Sequence, residues 1–126
     1  LDRIDIHIEM PAAKYQEISS NLPAESSTQI KESVNKARGI QRERFQSEGI
    51  FHNAQVSHKQ VHKFCVLGKE ESELLKMAMT ELGLSVMAYD KILKVGRTIS
   101  DLADSDVIRG EHVSEAIQYR SLDRSF

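Results

Sequence analysis

Three side chains able to ligate a metal, His58, His62 and Cys65, fall at helical spacing, with His52 close upstream. Zinc takes His and Cys in tetrahedral sites. Cys65, however, stands among Val61, Phe64 and Val66, where a lone thiol behaves as a small buried hydrophobe, and neither a cysteine pair nor a well-placed fourth ligand completes the pattern. No metal site is expected. A second grouping is cationic: Lys36, Arg38, Arg42 and Arg44 could contact phosphates. Glu32, Glu43 and Glu48 dilute it and no aromatic platform interleaves it, so a solvated helix face is the simpler reading. The remaining candidates are Arg3, set between Asp2 and Asp5, and the downstream cations Lys91, Lys94 and Arg97. Arg97 has Asp101 four residues on, the spacing of a helical ion pair.

The elements that must position these groups follow from composition and periodicity. With 126 residues, 40% of them hydrophobic and 29% charged, the chain can fold round a single core. A net charge of -2 gives no general attraction to polyanions, and the single cysteine rules out an internal disulfide. No apolar run approaches the roughly 20 residues of a membrane span, no signal-peptide pattern opens the chain, and a cytoplasmic location is expected. Ile4, Ile6 and Ile8 alternate with Asp5, His7 and Glu9, a period of two that predicts a strand. A lone strand cannot satisfy both edges, so its partners are expected in a longer protein from which this chain is cut.

Both prolines, Pro11 and Pro23, fall in the connector 11–25. A long helix is expected from Ser26 or Ser27, with Ile30, Val34, Ala37 and Phe45 inward and Glu32 pairing with Lys36. Ser57 caps a short helix, the next runs over 69–82 with Gly83 at its C-terminal end, and Ser85 caps another to about Ala103. Leu74, Leu75, Ala78 and Leu82 point inward from one, and Tyr89, Ile92, Leu93, Gly96, Ile99 and Leu102 from the other. A last helix covers about 110–119 and presents Val113, Ala116 and Ile117. The sum is an all-α helical bundle with one short N-terminal strand, divided as strand 1–10, linker 11–25 and helical domain 26–126.

Several stretches resemble the Mg-chelatase-like AAA+ ATPases of the competence type, the ComM/YifB group. They are Leu1-Asp2-Arg3-Ile4-Asp5-Ile6, Ser85-Val86-Met87-Ala88-Tyr89-Asp90-Lys91-Ile92-Leu93-Lys94-Val95, Arg97-Thr98-Ile99-Ser100-Asp101-Leu102 and Glu115-Ala116-Ile117-Gln118-Tyr119-Arg120-Ser121-Leu122-Asp123-Arg124. They occur in order over nearly the whole chain. The resemblance implies the C-terminal helical lid of an AAA+ ATPase, with residues 1–10 as the last strand of an α/β core that lies outside the chain. It implies ATP and Mg in the full-length protein, a ring of subunits, expectedly a hexamer, as partners, and DNA as the material remodelled. A porphyrin would be the corresponding expectation for the chelatase subunit itself. No Gly-x-x-x-x-Gly-Lys-Ser/Thr stretch is present, so the fragment is expected to hold no cofactor and to be inactive alone.

The resemblance also assigns roles. Arg3 falls where the family carries a finger that reaches the γ-phosphate held by a neighbouring subunit; such fingers are worth roughly 10³ to 10⁵ in rate. Met87 falls where these lids carry an arginine that senses the subunit's own γ-phosphate, and a thioether has no charge for that task. Lys91, one turn on, and Arg97 are the candidates to stand in near the nucleotide. Two other classes compete: a stand-alone nucleic-acid-binding helical module using the cationic run, and an oligomerisation module marked by an exposed apolar patch.

Overall fold

The computed structural model describes residues 4–8 and 25–120. Five helices make up the body: α1 Ser27–Arg44, α2 His58–Phe64, α3 Lys69–Leu82, α4 Val86–Leu102 and α5 Gly110–Gln118, with a 3-10 turn, Asn53–Gln55, before α2. The all-α class expected from periodicity is what forms. Residues 4–8 carry no strand assignment, and the rest of the expected strand and most of the linker lie outside the described residues.

Local chemistry fixes where helices start and stop. Ser26 Oγ accepts the Gln29 N–H at 3.1 Å while the Gln29 side chain accepts the Ser26 N–H at 2.9 Å, a reciprocal cap that satisfies two orphan donors. Ser57 and Gln60 repeat this device at α2. Ser85 caps α4 by accepting the Ala88 N–H at 3.1 Å. Gly83 ends α3 in the left-handed conformation, φ 61°, which side chains with a Cβ rarely adopt.

The core gathers round α4. Its Ile92 and Leu93 pack with Phe45, Val56, Val61, Leu75, Ile108, Val113 and Ala116 in one buried cluster. Phe45 and Phe64 meet edge to face at 5.0 Å. The α4–α5 pair is the most extensive packing, α1 joins it on the α4 side and α3 on the α5 side. An isolated parallel bridge, Leu67 to Ile108, ties the loops that precede α3 and α5.

Four inward assignments read from periodicity are corrected. Ile30 and Val34 are 48% and 38% exposed, because among the described residues no element covers the first half of α1, which reaches the core only from Ala37 onward. Leu74 lies at the solvent edge of α3, with Leu75 taking the buried place, and Leu102 is exposed at the end of α4. The expected Glu32–Lys36 pair is also replaced: Lys36 Nζ donates to Asp104 at 3.1 Å, a partner 68 residues away. Among the described residues no helix is long and apolar enough to cross a membrane.

Candidate functional site

Helix α4 joins two regions of different character. Met87, Lys91, Lys94 and Thr98 recur at helical spacing on one face. Residues 4–8 run across it: Lys91 Nζ bonds Asp5 at 2.5 Å, the His7 N–H donates to the Tyr119 carbonyl, and Arg120 donates to the Ile4 carbonyl. Between this segment, α4 and α5 lies a largely apolar cleft of about 450 Å³, lined by Ile6, Ile8, Lys91, Lys94, Thr98 and Tyr119 among others. Met87 stands one turn beyond Lys91, half exposed, beside the still more exposed Val86 at the Ser85-capped helix start. The helix start, the positive end of its dipole, thus presents neutral side chains, Met87 among them at the position that the resemblance assigns to a sensor.

The other region is buried and charged. Asp101, with no side-chain exposure, accepts two hydrogen bonds from Arg44, at 2.5 and 2.9 Å, and one from the Asn53 amide at 2.9 Å. Arg97 lies 3.3 Å from the same carboxylate and donates to the Ser105 and Asp106 carbonyls, holding the loop after α4 in place. Asn53 is fixed in turn by Arg44, Thr98 and Gln41. Burial pulls the Arg97 guanidinium below its ordinary value, with the like charge of Arg44 adding to it and Asp101 opposing. Burial likewise pushes the nearby Cys65 thiol up to about 11, partly offset by the positive charges of Arg97 and Arg44.

The sequence candidates are therefore distributed unevenly. Met87 and Lys91 share the cleft face, with Lys91 engaged by Asp5. The two terminal nitrogens of Arg97 go to Asp101 and to backbone carbonyls, the first being the i,i+4 pairing that its spacing allowed, while its buried Nε has no partner among the described residues. Arg3 lies outside the described residues. Arg44, read as part of a solvated face, is instead largely enclosed against Asp101, because the last turn of α1 closes onto α4. Asn53 and Gln41 gave no signal in the sequence, since their partners are distant in the chain. Among the described residues no three His, Cys, Asp or Glu side chains cluster to hold a metal. His58 Nδ1 lies 2.7 Å from Asp90 and faces the His62 ring edge to face.

The five helices form an all-α body centred on a Ser-capped α4, with residues 4–8 laid along its Lys91–Thr98 face, an architecture consistent with a helical lid domain. The chain belongs to the family described as magnesium chelatase, subunit ChlI C-terminal, whose pattern matches residues 24–120. It is 39% identical over 125 residues to Competence protein ComM of Haemophilus influenzae and 37% identical over 125 residues to Uncharacterized protein YifB of Escherichia coli. Each alignment covers 98% of this chain and 24% of the relative, so the chain spans about a quarter of the length of the curated relatives it matches.

Proposed function

We propose that this domain is the lid of a ring-forming AAA+ ATPase, joined to its core through residues 1–10, and that it couples ATP binding and hydrolysis to remodelling of DNA. The observation that carries the reading is the path of residues 4–8. They lie on the α4 face that also bears Lys91 and Met87, so the open helix start is turned to the side from which an upstream core would arrive. The residues present suit an accessory role toward nucleotide. The exposed N-terminus of α4 offers a partial positive charge to phosphate, whereas Met87 offers none and Lys91 is engaged with Asp5. ATP with its Mg would supply the phosphoryl chemistry, and this chain would supply closure over it. DNA is favoured over a porphyrin as substrate because the stretch 118–124 resembles the competence-type group.

The test uses the full-length protein. Arg3→Ala should lower ATP turnover at least about 10³-fold while sparing ATP binding, and DNA should stimulate turnover of the unaltered ring. Unchanged turnover in the variant would remove the finger role, and indifference to DNA would remove the substrate. The stand-alone nucleic-acid module is disfavoured on a specific ground: of its four phosphate contacts, Lys36 is engaged by Asp104 and Arg44 by Asp101.

A further inference from the structure

Two outer helices of the bundle carry exposed stripes of matching spacing and opposite sign. On α1, Lys31, Val34, Arg38 and Arg42 stand at i, i+3, i+7 and i+11 and are all exposed. The acidic residues of that helix, Glu32 and Glu43, sit about a quarter-turn or more away with Lys36. On α3, Glu70, Glu73, Met77 and Glu81 occupy the same relative positions, again all exposed, with Leu74 among them. The ion pairs among the described residues include none of the six charged groups.

Apolar surface accompanies each stripe. Met77 is 61% exposed, a large flexible side chain projecting from the middle of the acidic row. Beside the basic row, Val34 and Arg38 border a groove of about 290 Å³ whose other walls include His52, Thr98 and Leu102. One face thus offers Met77 between Glu73 and Glu81, with Lys76 to one side, and the other a hollow edged by Arg38. Within one molecule α1 packs chiefly on α4 and α3 on α5, and α1 and α3 share no extensive packing.

We infer that the acidic face of α3 on one copy of this chain docks on the basic face of α1 on the next, with Met77 and Leu74 entering the groove beside Val34. Joining two different faces is a head-to-tail contact, which propagates through successive copies and closes when the rotation per copy allows a ring. Charge sets the pairing and the order: α1 against α1 or α3 against α3 would oppose like charges. The inference goes beyond the lid reading by naming a contact between lids that requires neither nucleotide nor core.

The test follows the mass of the 126-residue chain by sedimentation with no nucleotide present. The unaltered protein should associate as its concentration rises towards about 1 mM at about 50 mM salt, and at least about tenfold more weakly at about 500 mM. The double variant R38E/R42E should stay monomeric, as should E73K/E81K. Mixed in equal amounts they should associate again, because each supplies the charge that the other has reversed. Circular dichroism and melting of each variant establish that the fold is kept. An unaltered protein that remains monomeric throughout, a variant that associates as well as the unaltered chain, or a mixture that stays monomeric would each overturn the contact. Those failures leave the ATPase reading untouched, since that is decided by turnover in the full-length protein.

Discussion

The two ends of α4 differ in what they do with charge. Around Arg97 and Asp101, one carboxylate, two guanidinium groups and an amide are enclosed and mutually bonded. At the other end Val86 and Met87 are exposed, uncharged side chains. Buried charge is costly unless fully partnered, so its groups are committed to holding helices and loop in one arrangement. Val86 and Met87 enter no ion pair among the described residues, so they carry no comparable commitment. The lesson is that the number of cations on a helix says little about binding; what matters is which of them still have donors to give.

Replacing Asp101 with Ala should break this contrast most severely. It would leave Arg44 and Arg97 enclosed without their carboxylate, at a cost of about 3–5 kcal/mol in unfolding free energy, measured by urea titration. A loss below about 1 kcal/mol would mean that water reaches the network readily.

Cys65 sharpens the same end through pH. Its folded value of about 11 lies above the ordinary 9.0, so the folded thiol holds its proton more tightly than the unfolded one. The associated stability is complete below about pH 9 and fades as pH rises towards about 11. Between about pH 8 and about pH 10.5 the unaltered protein should lose about 2 kcal/mol more than Cys65→Ala does, read from paired urea curves. Parallel curves would show the thiol to be far less enclosed.

The open end should respond more mildly. Ser85→Ala removes the acceptor of the Ala88 N–H and should cost about 1 kcal/mol, seen as a lower thermal midpoint. Met87→Arg should move stability by no more than about 0.5 kcal/mol, because the side chain is half exposed. In the full-length protein the same change should tighten ATP binding, and an unchanged affinity would show that the position does not sense phosphate. A large stability loss from Met87→Arg would abolish the contrast between the two ends.

The helix limits were legible because their causes are local. Ser57, Ser85 and Gly83 act on backbone groups within a few residues, and helices begin or end beside each of them. The facing of α1 was less so. Ile30 and Val34 have the correct period for a core stripe, yet whether a stripe is covered depends on what lies opposite, which periodicity cannot supply. The site divided in the same way. The Arg97–Asp101 spacing was visible as a pair, but Arg44, Asn53 and Gln41 converge on it from separate segments. Met87 was recognisable only by resemblance, and Arg3 lies outside the described residues.

The crossing of residues 4–8 over α4 and α5 also has a mechanical meaning. Lys91, Tyr119 and Arg120 fasten that segment to the two helices that pack most extensively on each other. A pull arriving along it would therefore be delivered to the most extensively packed part of the body before any outer helix. The domain would turn as a single lever, carrying α1 with it through α4 and α3 through α5.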